Sequence, residues 1–146
     1  MKKLTKLFVF TIIVTFCIDT NSQIGITSYS IYALGINTSQ NRIISAELKT
    51  FANRDIDDLL MEADVFFNFK PGNYHRFSVG VGINIGPFQE GDLIYALTVP
   101  LEIEIYPFQN FKKISLLFEL TPEITGDNNL NLRNLWGIRY TFGEKE

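Results

Sequence analysis

Thirteen residues near the C-terminus, LNLRNLWGIRYTF from Leu130 to Phe142, restrict the folding of this chain more than any other stretch. Leu132, Trp136, Ile138, Tyr140 and Phe142 fall on one side, and Asn131, Arg133, Gly137, Arg139 and Thr141 on the other. A repeat of two in side-chain direction belongs to a β-strand, whose successive Cβ atoms point to opposite faces. The apolar face carries aromatics near the strand end, and the polar face carries two arginines. Such a strand suits a barrel with lipid outside and polar side chains inside.

The same residues resemble the terminal strand of outer-membrane β-barrel proteins, in which alternating apolar residues ending in an aromatic are read by the barrel-assembly machinery. The resemblance implies that Trp136, Ile138, Tyr140 and Phe142 form a C-terminal insertion signal. In the family pattern the aromatic is usually the last residue; here Gly143, Glu144, Lys145 and Glu146 follow it.

The start of the chain points to export. Lys2, Lys3 and Lys6 precede an apolar run over residues 7–18, too short to span a bilayer alone, and Thr20 and Ser22 supply small residues before a cut. This is the pattern of a cleaved signal peptide over residues 1–22. Lipidation of Cys17 is disfavoured by the bulk of Phe16 before it. With Cys17 removed, residues 23–146 have no thiol for disulfides or metal ligation.

Cleavage takes three lysines and Asp19 from the 13 basic and 16 acidic residues, leaving 10 and 15 and a net charge of −5. That balance offers nothing to nucleic acid. The remaining 124 residues suffice for one domain, a β-barrel over residues 23–146. No run approaches the ~20 apolar residues of a membrane-spanning helix. Entry into a membrane therefore requires a closed barrel, the other structure that satisfies every backbone group in lipid.

Clusters of Asn, Asp, Gly and Pro at residues 37–41, 53–58, 70–73, 86–92, 107–110 and 122–129 read as turns. The segments between them alternate. In residues 44–52, Ile44, Ala46 and Leu48 oppose Ser45, Glu47 and Lys49; in 60–69, Met61, Ala63, Val65, Phe67 and Phe69 oppose Glu62, Asp64, Phe66 and Asn68. In 77–85, Phe77, Val79, Val81, Ile83 and Ile85 oppose Ser78, Gly80, Gly82 and Asn84. In 93–106, Tyr95, Leu97, Val99, Leu101, Ile103 and Ile105 oppose Ala96, Thr98, Pro100, Glu102 and Glu104. In 114–120, Ile114, Leu116, Phe118 and Leu120 oppose Ser115, Leu117 and Glu119, with Lys113 in phase with the latter. Residues 24–36 alternate poorly. Seven strands are thus countable, whereas single-chain bacterial membrane barrels have an even number, eight at the small end. The expected fold is an all-β, antiparallel, up-and-down barrel of eight strands, with residues 23–41 hiding two short ones.

The polar faces collect Glu47, Glu62, Asp64, Glu102, Glu104 and Glu119 with Lys49, Arg76, Lys113, Arg133 and Arg139. A narrow barrel is filled by its own side chains, and an unpaired buried charge is very costly. These residues are therefore expected to form interior ion pairs, with Gly80, Gly82 and Gly137 making room for the arginines. The pattern resembles small outer-membrane barrels of the OmpA/OmpX type. That resemblance implies the outer membrane of a Gram-negative bacterium as location and outer-membrane lipid as surroundings. The role it leaves open is structural or accessory to the envelope, without a cofactor. Tyr95, Tyr106, Phe108, Phe111, Tyr140 and Phe142 resemble interfacial aromatic girdles.

Two other classes stand beside this reading. A secreted, lipocalin-like barrel would turn its apolar face inward, with Phe67, Phe77, Phe118 and Trp136 lining a pocket for an apolar ligand. An enzyme would need the single histidine, His75, oriented by an acid beside a nucleophile such as Ser78; the spacing does not require it, and a rim residue is expected instead. Glu102 and Glu104 share a face, but they are expected to meet arginines and not to act as a catalytic carboxylate pair. No phosphate-binding loop, metal-ligand cluster or repeat is present.

Overall fold

The computed structural model describes residues 23–38, 42–52, 59–86 and 94–143. The expected signal peptide, residues 1–22, and the turn at 53–58 lie outside the described residues, as does most of the turn at 86–92. The strands are β1 (Ile24–Tyr29), β2 (Ala33–Thr38), β3 (Ile44–Phe51), β4 (Leu60–Asn68), β5 (His75–Ile85), β6 (Ile94–Thr98), β7 (Leu101–Ile105), β8 (Ile114–Thr125) and β9 (Leu130–Phe142). Every pairing is antiparallel, and β9 returns to β1 through the register Ile24↔Phe142 to Tyr29↔Gly137, so the sheet closes on itself.

β6 and β7 occupy one position in the wall. Both pair with β5 on one side and β8 on the other. The register runs unshifted across the gap, from Gly82↔Thr98 to Val79↔Leu101 on β5 and from Thr98↔Glu123 to Leu101↔Leu120 on β8. The nine segments therefore make eight staves. The break comes from Pro100, whose ring nitrogen carries no hydrogen. Pro100 keeps the accepting half of its pair, taking a bond from Gly80 N at 2.7 Å.

Residues 23–41 do contain two strands, joined by a turn at residues 30–32. Their alternation was obscured because Tyr29 faces inward while Ser28 faces outward. The turn places Tyr32 at φ 52°, a left-handed conformation uncommon for a bulky residue. The carbonyl of Tyr32 accepts from Ala52 N at 2.9 Å, which ties the turn to the end of β3.

The expected turn at 122–129 is shorter than the sequence suggests. β8 continues through Pro122 to Thr125, because the Pro122 carbonyl still accepts from Val99 N at 3.0 Å and only one ladder bond is forfeited. The remaining turn is closed by Asn128 at φ 60°, a residue type that tolerates that region.

The inward glycines do a different job from the one expected. Gly80 lies opposite Phe66 and Gly137 opposite Tyr29 in cross-strand register, and Gly82 lies opposite Asp64. The absent side chains admit the Phe66 ring, the Tyr29 ring and the Asp64 carboxylate, not arginines. At one end, Tyr29, Ala33, Phe51 and Leu135 form a small inward apolar cluster with Leu60 against it.

This packing predicts the effect of adding side chains. A Cβ at Gly137 would lie 2.7 Å from the Ser28 carbonyl oxygen and 3.1 Å from the Tyr29 ring, so Gly137→Val should destabilise the barrel by ~1–3 kcal/mol in equilibrium urea unfolding. Gly126, where a Cβ meets nothing within 4 Å, should accept alanine with a change within ~0.5 kcal/mol.

Candidate functional site

Alternation turns every polar face inward. Lys49, Glu62, Asp64, Arg76, Glu102, Glu104, Glu119 and Arg139 are all buried, as is Glu47. Val65, Phe67, Val81, Leu97, Phe118, Trp136 and Ile138 are each at least half exposed on the outer wall. Phe77 is also exposed. The four aromatics that would line an apolar calyx therefore point away from the lumen.

Four cations occupy the interior. In the middle, Arg139 on β9 donates from Nε to Thr27 Oγ1 at 2.8 Å, and from Nη2 to Glu47 Oε2 and Glu102 Oε2, both at 3.0 Å. Its Nη1 donates to Glu102 Oε1 at 3.1 Å, which makes the Glu102 contact bidentate, the arrangement for which a planar guanidinium is suited. Tyr29 OH donates to the other oxygen of Glu47 at 2.7 Å. One side chain thus joins β1, β3, β7 and β9 across the lumen.

Beside it, Lys49 Nζ lies 2.9 Å from Glu62 Oε1, 2.8 Å from Asp64 Oδ2 and 2.6 Å from Glu119 Oε2. An ammonium has three hydrogens, and three carboxylates surround this one. The rings of Tyr29 and Phe66 flank it, each with its centroid 5.7 Å away.

Arg133 covers this cluster from the end nearer the β8–β9 turn. Its Nη2 lies 2.6 Å from Glu62 Oε2 and 3.6 Å from Glu119 Oε1, its Nη1 lies 2.6 Å from Glu123 Oε1, and its guanidinium sits 5.0 Å from the centre of the Phe51 ring. At the opposite end, Arg76 pairs with Glu104, which also accepts from Ser115 Oγ and, at 3.1 Å, from Tyr106 OH. A neutral chain lies nearby: Ser78 Oγ donates to Asn68 Oδ1 at 2.7 Å, and Asn68 Nδ2 donates to Ser45 Oγ at 2.9 Å.

Of the expected interior residues, Lys113 stands apart. It precedes β8 at the rim and is partly exposed, and no ion pair of its own is found among the described residues. It is in phase with Ser115, but one residue beyond the strand the wall no longer directs it inward. Tyr106 is a second correction: it is buried on Glu104 and belongs to the interior, not to an outer girdle. Glu123 joins the interior as well: the stretch 122–129 has the composition of a turn, but β8 runs through Glu123, which continues the phase of Glu119 and Thr121. Tyr29 is likewise interior, although nothing in its poorly alternating segment marks a tyrosine as inward.

His75 is exposed, whereas Ser78, three residues on, is buried and committed to Asn68. An odd spacing on a strand puts the two on opposite faces. Glu102 and Glu104 both face inward and are held by arginines. Among the described residues, no group of three or more His, Cys, Asp or Glu is arranged to hold a metal ion. No protein-family model, curated protein or solved structure matches the chain.

The interior holds more carboxylates than cations, which makes the cations the sensitive members. Lys49→Met would leave Glu62, Asp64 and Glu119 facing one another, and Arg139→Leu would strand Glu47 and Glu102. Each should cost ~3–5 kcal/mol in urea unfolding, the scale for breaking a buried pair. Asp64→Asn, which keeps an acceptor near Lys49 and removes one surplus charge, should cost clearly less. Lys113→Ala at the rim should change stability by no more than ~0.5 kcal/mol.

Proposed function

We propose that this chain is a small integral outer-membrane β-barrel with a structural or accessory role in the envelope and no catalytic activity. The observation that carries the reading is the inversion of the usual soluble pattern. The buried side chains include three cations, Lys49, Arg76 and Arg139, and six acids, with Arg133 largely buried beside them, while the outer wall presents apolar side chains from every stave. In water that arrangement would expose a continuous apolar surface far beyond the few hundred Å² a soluble monomer tolerates. In lipid it is the favourable one.

The ion pairs support the same reading. A small membrane barrel is filled by side chains and conducts through no open lumen, and here the lumen is crossed by Arg139 and Lys49. β8 and β9, with 12 and 13 residues, exceed the ~9–11 residues of a tilted bilayer crossing. The outer residues of β9, Trp136, Ile138, Tyr140 and Phe142, remain exposed for recognition by an assembly machinery during insertion. A soluble calyx for an apolar ligand draws no support from an interior lined by Lys49, Arg76 and Arg139.

The reading is tested by fractionation of cells expressing the full chain. The protein should partition with the outer membrane, require detergent for release, and migrate differently on a gel before and after boiling. A product freely soluble in the periplasm would overturn it. Single cysteines sharpen the test. One at Val81 or Ile103, on the outer wall, should resist a polar maleimide in intact membranes until the protein is unfolded; ready labelling of both would place that wall in water.

A further inference from the structure

The two ends of the barrel differ in chemistry. The end that carries residues 23 and 143 also carries the connections β2–β3, β4–β5 and β7–β8, as up-and-down topology requires. Outward aromatics gather there. Phe67, Phe69 and Phe77 form a contact chain with ring centroids 5.2 and 5.5 Å apart, and Tyr140 and Phe142 stack edge to face at 4.8 Å. Tyr74, Phe108 and Phe111 extend the belt on the connections themselves, at 63, 57 and 45 % exposure. Toward the opposite end the outward aromatics among the described residues are Tyr32, Tyr95 and Trp136, whose backbone carbonyl accepts from Ser30 N in the β1–β2 turn.

Charge follows the same division. The connections at the aromatic end contribute Arg42, Lys70, Lys112 and Lys113 and, within residues 39–43, 69–74 and 106–113, no acid. The segments joining β3 to β4, β5 to β6 and β8 to β9 contain Asp55, Asp57, Asp58, Glu90, Asp92 and Asp127 against Arg54 alone. The basic connections are also bonded to one another and to the wall. Gln109 Nε2 donates to Asn73 O at 3.3 Å and Tyr106 N to Tyr74 O at 2.8 Å; Asn68 Nδ2 donates to Arg42 O at 3.0 Å and Thr141 N to Lys113 O at 2.8 Å.

We infer that this end of the barrel binds the headgroups of anionic phospholipids, and so faces a phospholipid leaflet. The inference rests on the membrane-barrel reading above. Aromatics sit at the level where acyl chain meets headgroup, and here the basic residues of the β4–β5 and β7–β8 connections lie within two positions after an aromatic, Lys70 after Phe69 and Lys112 and Lys113 after Phe111. An aromatic anchored at the interface with a lysine one step beyond it reaches phosphate oxygens. An acidic protein or a nucleic acid would be met by the bases but would leave an outward aromatic belt without purpose. Glu144, Lys145 and Glu146 follow Gly143 in the sequence and add a net of one negative charge, against the four basic residues of the connections.

The experiment reconstitutes the mature chain in nanodiscs of mixed phosphatidylcholine and phosphatidylglycerol and measures co-retained lipid by native mass spectrometry. Phosphatidylglycerol should be enriched around the wild-type barrel. Lys70→Ser and Lys113→Ser should each reduce that enrichment roughly fivefold, the factor corresponding to about 1 kcal/mol per basic group near an anionic surface, and high salt should reduce it likewise. Asp127→Ser at the other end should leave it unchanged. Insertion without enrichment, or enrichment that survives the double substitution in a folded barrel, would overturn the inference alone. Failure of the wild-type chain to insert into any nanodisc would overturn the membrane reading beneath it.

Discussion

Arg139 is the point on which the interior depends. Its guanidinium lies at the centre of the lumen with no exposed surface, held by Glu47, Glu102 and Thr27 from three other staves. A charge in such a place is tolerated only where its attraction to fixed partners offsets the lost hydration. Those partners come from β1, β3 and β7, so neutralisation of this one group requires that the barrel be closed and its registers correct. Lys49 imposes the same condition on β4 and β8, and Arg133 repeats it nearer one end. The interior thus checks the assembly of the wall: a slip of one residue in any register would send these charges to the outside and the apolar set to the lumen.

The wall pays for its own irregularities locally. Pro100 and Pro122 lie on neighbouring staves near the middle of the barrel, and each keeps its carbonyl in the ladder while forfeiting a donated bond. Where large inward side chains cross the narrow interior, the facing residue has lost its own: Phe66 stands against Gly80 and Tyr29 against Gly137. The two tyrosines of the interior serve the ion network as well as filling space, since Tyr29 and Tyr106 direct their hydroxyls at Glu47 and Glu104. Polar tip and aromatic body are both used, which explains how an interior rich in charge is still closely filled.

Much of this could be read along the chain because a strand has the simplest of periods. The inward set of β3, β4, β5, β7 and β9 was legible residue by residue, including the acids on β4 and β7 and the arginines on β9. Reading failed where a residue's chemistry and its direction disagree. Tyr29 is a large ring that faces in and Ser28 a small polar residue that faces out, so β1 and β2 merged into one poor segment. Pro122 has the composition of a turn and the position of a strand residue, and Glu123 was lost with it. Lys113 has the phase of an inward residue but lies just past the strand end.

The sequence by itself determined which side chains share a face along nearly every strand, and with it which charges stand together; that this face is the interior is decided by the closed barrel. It did so because alternation is local: each residue's face follows from its neighbour's. It could not say which acid meets which base. Arg139 finds Glu47, 92 positions earlier in the chain, and Arg133 finds Glu62, 71 positions earlier. Those distances carry no sequence signal, because the partners are set by the order of staves, by their registers and by the closure of β9 on β1. Only the tertiary structure decides them, since an ion pair across a lumen exists only once the lumen has been enclosed.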